Sequence, residues 1–400
     1  MKTTRRLIQL AFLTLTVVGV FVVRGNAERW CPFGGVEALY GYVTEGNVLC
    51  ALAVTNFFML GAVLVLALLV RRAFCAYACP IGTISEWLGV AGRRVGLRTR
   101  LVPARADAYL RKGKYVVLAI ILYFTWTLGE LEFRAADPCY ALISRHGEDI
   151  TLWAYVVAGL IVVGALVVTM PFCRWLCPLG AVLAPFSRLG FTRIRRDAEA
   201  CSGCARCTSV CPTAIPVHML DEVRAARCMT CFNCLAACPP KRGALSWGPA
   251  RPRGAKWPPW IAAMAVLIVL SAAVTWAYVA PFPSFTRVSP DRAGAAGEPA
   301  VARLRVDGVT CRGRATLLAY FLERDDEFAV DGFLKIEAWP GPGRAAVDIT
   351  YDAALADADA IRAALSEAYF DRATETWRVS PFAVEGYDAL GGLGPAVEGL

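Results

Sequence analysis

Five stretches of the chain run apolar without an interrupting charge: Leu7 to Val23, Leu49 to Val70, Tyr115 to Gly129, Thr151 to Met170 and Trp257 to Ala280. A helix that crosses a bilayer needs about 20 such residues, so the pattern predicts five membrane helices, the third being the shortest. Between the fourth and fifth lies a polar, cysteine-rich segment. Beyond the fifth the period changes. PFPSFTRVSPDRAGAAGEP reads as a linker rich in Pro, Gly and Ala. Then VARLRVDG alternates as a strand, ATLLAYFLER reads as a helix, GFLKIEAW and AAVDITYD as strands, DADAIRAALSEAYF as a helix and ETWRVSPF as a last strand. The C-terminal order is therefore β-α-β-β-α-β.

Composition agrees with the membrane reading: 57% of the 400 residues are hydrophobic, against about 45–50% in an ordinary soluble protein. The formal charge of +9 changes the picture only when it is divided by side. With the N-terminus cytoplasmic, residues 1–6, 71–114 and 171–256 face inward and carry 26 basic against 6 acidic residues. Residues 24–48, 130–150 and 282–400 face outward with 16 basic against 27 acidic. An asymmetry that follows the membrane side fits the positive-inside rule and sets nucleic acid aside as a partner. The first apolar stretch also has the basic start and small-residue ending (Gly25, Asn26, Ala27) of a secretory signal. An uncleaved anchor is the preferred reading, because WCPFGG follows at once.

The strongest chemistry is on the inner side. CSGCARCTSVCP places Cys201, Cys204, Cys207 and Cys211 in a C-x2-C-x2-C-x3-C-P run, and CMTCFNCLAACP repeats it with Cys228, Cys231, Cys234 and Cys238. Zinc asks for two separated pairs of ligands, and a disulfide framework suits an oxidising compartment, so neither fits. The run resembles bacterial-type ferredoxin domains, in which the fourth cysteine of each run serves the other cluster. That resemblance implies two [4Fe-4S] clusters, one on Cys201, Cys204, Cys207 and Cys238, the other on Cys228, Cys231, Cys234 and Cys211.

A second repeat lies where apolar stretches end. FCAYACPIG at 74–82 and FCRWLCPLG at 172–180 share Phe-Cys, three residues, Cys-Pro, an aliphatic residue and Gly, an internal duplication of helix, thiol motif and interfacial segment. If the last helical turn continues through each motif, Cys75 and Cys79 lie at i and i+4 on one face, as do Cys173 and Cys177, with Pro80 and Pro178 ending the helix. The four thiols are then a further metal or cluster site, or two redox dithiols; the plain alternative is a small apolar residue at a packed helix end. Cys31, Cys50 and Cys139 fall on the outer side, where a disulfide from Cys31 to Cys50 or Cys139 is permitted.

Only His146 and His218 occur, neither in a membrane stretch, which excludes a bis-histidine membrane haem and reads both as surface residues. Together the two cysteine repeats resemble the NapH/NosR/CcoG group of membrane-bound ferredoxin-type proteins. The resemblance implies electron transfer between the quinol pool or cytoplasm and a periplasmic partner, as a component of an oxidoreductase system. The C-terminal segment is similar to the heavy-metal-associated family, a ferredoxin-like sandwich, through GVTC at 308–311, VDITYD and IRAAL. Arg314 stands where that family has its second cysteine, so Cys311 alone implies docking rather than metal binding.

The fold class expected is a multi-pass α-helical protein of the bacterial cytoplasmic membrane, with an inserted 2[4Fe-4S] ferredoxin domain and a C-terminal α+β ferredoxin-like domain. Its domains are a membrane domain over 1–196, the cytoplasmic ferredoxin domain over 197–247, a fifth helix over 248–281, a linker over 282–299 and a periplasmic domain over 300–400. Quinone bound between helices, or a partner subunit, is expected to bridge the about 30 Å between the inner clusters and anything outside. A metal-ion (copper) reductase and an iron-sulfur redox sensor are the alternative functions.

Overall fold

The computed structural model describes residues 2–22, 31–36, 39, 43, 51–97, 102–128, 141, 151–239, 243–250, 255–279, 285–289, 298–310, 312–323, 330–340, 343–371 and 376–387. The chain divides into two compact units, residues 1–37 with 56–276, and residues 38–55 with 277–400.

In the first unit, helix α1 (Lys2–Val17) runs on into a π-helical turn (Val18–Val22). Helix α2 (Ala51–Val70) follows, and Arg71, at φ 61°, ends it in the left-handed region. A new short helix, α3 (Ala73–Tyr77), carries Cys75. Cys79 is extended and caps α4 (Pro80–Arg94), with Pro80 in its first turn. Helices α5 (Ala104–Leu110) and α6 (Gly113–Leu128) lead to α7 (Leu152–Val167). There the motif repeats: Met170 is left-handed at φ 52°, α8 (Pro171–Trp175) carries Cys173, and extended Cys177 caps α9 (Pro178–Leu189).

The expectation of one helix running through each motif is therefore corrected. A left-handed residue breaks the apolar helix before the motif, and the proline opens the next helix instead of closing the previous one. Proline suits that place because its missing N–H would be unpaired in the first turn anyway.

The cysteine-rich segment is framed by an antiparallel pair, β1 (Thr192–Arg196) with β2 (Leu245–Pro249), so residues expected with the membrane domain bracket the cluster loops. The last carbonyls of a helix have no intrahelical partner, and at α2 this segment supplies partners. Phe191 N–H donates to Leu68 O at 2.6 Å, Thr192 Oγ1 to Leu69 O at 3.1 Å, and Thr230 Oγ1 to Val70 O at 2.9 Å. Buried Arg71 reaches onward, its two terminal nitrogens each 2.6 Å from the carbonyls of Val223 and Ala225. The cysteine-rich segment is thus bound to the end of the helix.

Helix α1 is held by polar contacts. Arg5 makes a bidentate ion pair with Glu86 of α4, Gln9 donates to Glu86 and to Ala76 O, and Asn233 of the second cysteine run joins the same carboxylate at 3.3 Å. Arg5 and Gln9 are buried. The unit ends in α12 (Trp260–Val279).

Among the described residues, two helical stretches are long and apolar enough to cross a membrane by length and composition, Thr3–Val22 and Trp260–Ala277; α2 is apolar along 55–70, and Leu152–Val167 is apolar but shorter. Sixteen residues at about 1.5 Å each span roughly 24 Å, less than the about 30 Å of a bilayer core.

In the second unit, strands β3 (Phe285–Val288), β4 (Pro299–Asp307), β5 (Phe333–Trp339), β6 (Ala345–Asp352) and β9 (Ala383–Val384) form an antiparallel sheet in the order β3-β5-β6-β4-β9. Helices α13 (Arg312–Leu322) and α14 (Ala358–Ser366) supply Leu318 and Ile361 to a core with Val306, Ile336 and Val347. The expected strand order holds, with two changes. Part of the expected linker is edge strand β3. The last expected strand, 375–382, keeps only β8 (Thr376–Arg378), which pairs as a separate hairpin with β7 (Tyr369–Asp371) at the end of the expected helix, and residues 383–384 close the sheet instead. Burial accounts for the change, since Phe382 and Val384 are in the core whereas Val379 is 84% exposed. Cys311, Cys50, Cys139 and His146 lie outside the described residues.

Candidate functional site

The two cysteine runs fold alike. In the first, Gly203 and Ala205 have positive φ (68° and 52°); in the second, Thr230 and Phe232 do (50° and 58°), twenty-seven positions on in each case. A left-handed non-glycine residue costs on the order of 1–2 kcal/mol, so three such residues at matching places mark loops held against local preference. The bends aim backbone N–H groups at sulfur, from Gly203 to Cys201, Arg206 to Cys204 and Asn233 to Cys231. Short helices α10 (Arg206–Ser209) and α11 (Asn233–Ala237) then carry the third cysteines, Cys207 and Cys234.

Each run surrounds a hollow that the other run completes. Cys201, Cys204 and Cys207 line one together with Cys238, and Cys228, Cys231 and Cys234 line the other together with Cys211. The ferredoxin resemblance implies the same grouping of these cysteines. The two hollows differ in electrostatics. Hydrogen bonds from the Gly203 N–H and the Arg196 guanidinium lower the Cys201 thiol pKa, and the Arg206 N–H and Ser202 hydroxyl do so for Cys204, which is exposed. Around the second hollow burial dominates, pushing Cys231 up to about 12 and raising Cys234.

The duplicated motif brings its own four thiols together. Cys79, Cys173 and Cys177 pack on Ile81, Ile161 and Phe172. Cys173 interacts electrostatically with Cys177, Cys79 and Cys75, and Cys75 with Cys79 and Cys177. The turns match: Cys79 N–H donates to Phe74 O at 3.0 Å and Cys177 N–H to Phe172 O at 2.9 Å. Closeness explains the glycine of the first copy, since a Cβ on Gly82 would lie 2.4 Å from Cys75 O; at Gly180 the nearest atom is Arg72 Nη1 at 3.3 Å, and Cys173 O lies at 3.7 Å, an ordinary contact. Burial raises Cys75 and Cys173 and pushes Cys79 up to about 11. Lys114 is buried beside this group, and burial with the neighbouring Arg72 charge pushes its ammonium down to about 8.

Sequence reasoning missed the polar supports. His218, read as a surface residue, is half-buried, lines the first hollow and has Nδ1 2.7 Å from Thr208 Oγ1. Arg71 and Arg72 hold the cysteine-rich segment to both motifs, and their signal was an Arg-Arg pair between an apolar helix and a cysteine motif. Phe232 stacks edge-on with Trp247 at 5.1 Å, and Trp247 with Trp257 at 5.8 Å, which joins the second run to the start of α12.

Among the described residues, no three His, Cys, Asp or Glu side chains converge closely enough to hold one metal ion. Sulfurs around a single tetrahedral zinc ion stand about 3.7 Å apart, given Zn–S of about 2.3 Å. A cube of four irons keeps its ligands further apart. Thiols gathered round hollows, with N–H groups aimed at sulfur, fit the larger group.

Residues 193–239 match the family described as 4Fe-4S dicluster domain, and residues 52–98 and 150–196 each match the family described as 4Fe-4S binding domain. Fold and site together define an iron-sulfur protein of the ferredoxin type. The chain is 32% identical over 229 residues to the "Putative electron transport protein YccM" of Escherichia coli, a match covering 55% of this chain and 63% of that protein. It is 27% identical over 243 residues to the "Ferredoxin-type protein NapH" of Escherichia coli, covering 57% and 81%. It is 31% identical over 169 residues to the "Regulatory protein NosR" of Pseudomonas aeruginosa, covering 41% and 23%. The chain is thus similar to ferredoxin-type electron transport proteins of the NapH and NosR kind. It spans less than two thirds of YccM. No solved structure matches it.

Proposed function

We propose that this protein is a membrane-anchored electron carrier. Cys201, Cys204, Cys207 and Cys238 hold one [4Fe-4S] cluster, and Cys228, Cys231, Cys234 and Cys211 the other. The observation that carries the reading is the pair of hollows, each lined by three cysteines of one run and the fourth of the other. When bound, each cluster supplies one-electron redox chemistry. The chain's own residues do the rest. Arg196 and the loop N–H groups stabilise thiolate sulfur, exposed Cys204 marks the edge open to a soluble partner, and buried Cys228 and Cys234 share a hydrophobic core with residues of α2 and α12.

Membrane embedding is supported by outward apolar side chains on the helices: Leu15 is 68% exposed, Leu152 78% and Val279 75%. Such surface needs lipid or protein cover. On this reading the protein spans the cytoplasmic membrane several times, with clusters inside and the C-terminal unit outside as a docking module of the heavy-metal-associated type. A cleft lined by Ile8, Tyr77, Phe232, Trp260 and Ala263, with Arg5 at its side, reaches Cys231. It is where a quinone ring would meet the second cluster.

The test is anaerobic purification followed by redox-titrated EPR of the wild type and of Cys204→Ser and Cys231→Ser. Each variant is expected to lose or alter one cluster signal and keep the other. Iron-free wild-type protein, or variants without effect, would refute the assignment.

A further inference from the structure

We infer that Arg71 is the countercharge of the second cluster, a fully buried cation that the end of α2 places behind the hollow of Cys228, Cys231, Cys234 and Cys211 and that holds the midpoint potential there up. The inference rests on the two-cluster reading above and adds a positioning residue to it.

The first observation is where the guanidinium lies. Arg71 is 1% exposed, and its two terminal nitrogens donate at 2.6 Å to the carbonyl oxygens of Val223 and Ala225. Val223 and Cys228 both line the second hollow, and Arg71 interacts electrostatically with Cys228. The next backbone N–H, that of Arg72, donates to Cys228 O at 3.4 Å. The charge thus stands directly behind the wall that those two residues make.

The second is that this cation has no carboxylate of its own. Among the described residues no Asp or Glu oxygen lies within ion-pair distance of it, and its Nε has no hydrogen-bond partner. Glu222, the acid that acts on it, is already shared by Arg193 at 3.6 Å and Arg224 at 2.9 Å. The other arginines that act on these sulfurs are placed differently. Arg5, beside Cys231, is neutralised by Glu86; Arg193, beside Cys228, has Glu222; Arg227, beside Cys211, is half-buried. A buried charge is strongly unfavourable unless an opposite one faces it. Four thiolates outweigh the positive charge of an iron-sulfur core, so a cluster in this hollow is anionic and supplies what Arg71 lacks.

The third is the local cost of having an arginine there. Arg71 has φ 61°, a left-handed conformation that is unfavourable for any residue with a Cβ. Gly190 makes room for its stem, since a Cβ there would lie 3.0 Å from Arg71 Cγ. The duplicated motif supplies a comparison. The two residues before Ala-Phe-Cys are Arg71 and Arg72, whereas those before Pro-Phe-Cys are Thr169 and Met170. Ending an apolar helix ahead of this motif therefore does not require an arginine.

Reduction makes the cluster more negative, which a nearby cation favours, and cluster potentials follow the net charge around them. A unit charge within roughly 10 Å, at an effective dielectric of about 20, changes a one-electron equilibrium by about tenfold or more.

The test is redox-titrated EPR with iron content on anaerobically purified full-length wild type, Arg71→Gln and Arg71→Lys, the second cluster's signal being the one that Cys231→Ser removes. Arg71→Gln should lower the reduction equilibrium constant of the second cluster about tenfold, a negative shift of about 59 mV, and leave the first nearly unmoved. Arg71→Lys loses the planar fork but keeps the charge, and should stay near wild type. Should Arg71→Gln fail to retain the second cluster while Arg71→Lys retains it near the wild-type potential, the inference also stands, because both lose the fork and only one loses the charge. No shift in Arg71→Gln, an equal shift of both clusters, equal shifts in the two variants, or loss of the second cluster from both overturns it and leaves the two-cluster reading intact. Iron-free wild type overturns that reading as well.

Discussion

The two copies of the duplicated motif are alike in sequence around Gly82 and Gly180, yet an added methyl group meets different surroundings in each. At Gly82 a Cβ falls 2.4 Å from the Cys75 carbonyl oxygen, a backbone atom held in α3. At Gly180 the nearest atom is Arg72 Nη1 at 3.3 Å, and Cys173 O stands off at 3.7 Å. Both glycines are the third residue of a proline-led helix, so the helix-propensity gain of alanine over glycine, about 1 kcal/mol, is common to both and cancels in the comparison. What remains is overpacking at Gly82 alone, about 1–3 kcal/mol. Gly82→Ala should therefore melt lower than Gly180→Ala by about 2–12 °C, taking roughly 2–4 °C per kcal/mol for a unit of this size. The assay is thermal unfolding of anaerobic protein in detergent at a fixed scan rate, with iron retention followed in parallel. Equal melting, or a lower value for Gly180→Ala, would refute the reasoning that the first cysteine's carbonyl packs on the motif glycine.

The Arg5–Glu86 pair is almost closed to solvent, with side chains 6% and 11% exposed, and removing one partner of such a pair costs about 3–5 kcal/mol. Glu86→Ala should destabilise α1 docking by that order, read as faster proteolysis near the N-terminus; wild-type resistance would contradict it. Burial pushes the Glu86 carboxyl up, but Arg5, Gln9 and Asn233 more than offset this and hold it below its usual range. Its stabilising contribution is full above the ordinary glutamate pKa of about 4.3 and is lost as pH falls from there through the lowered folded value, so docking measured by the same proteolysis should weaken below about pH 4. The first ferredoxin cluster, with more hydrogen bonds to sulfur and more solvent, should titrate at a higher potential than the second; the reverse order in Cys204→Ser and Cys231→Ser EPR titrations would contradict the burial argument. Reporter fusions at residues 150 and 240 should show opposite membrane sides, as the division of charge requires; like sides would undo the topology.

Much of the cluster site was legible because cysteine spacing is a local constraint. Two residues between thiols, repeated, suit a loop round one cube, and the crossed fourth ligand is what the ferredoxin resemblance implies; the hollows group Cys238 with the first run and Cys211 with the second. Apolar periodicity likewise marked the helices, and alternation marked the C-terminal strands, since both record burial residue by residue. What the pattern misjudged were breaks. A left-handed Arg71 or Met170 has no signature in residue type, so each thiol motif read as the end of a helix when it is a separate turn with a new helix behind it. The final strand was likewise misplaced, because whether Phe382 or Val379 is buried depends on the neighbouring helix and sheet.

By itself, then, the sequence determined the spacing of the thiols, the two repeats and the uneven division of charge between segments, all of which are properties of near neighbours along the chain. Only the tertiary structure decided that Cys75 and Cys79 stand with Cys173 and Cys177, that Arg5 holds Glu86 eighty-one positions away, and that Arg72 touches both a ferredoxin loop and the second motif. Those are long-range contacts. They are selected by the balance of buried charge and by unpaired helix-end carbonyls finding partners, and no local pattern encodes which distant residue will answer.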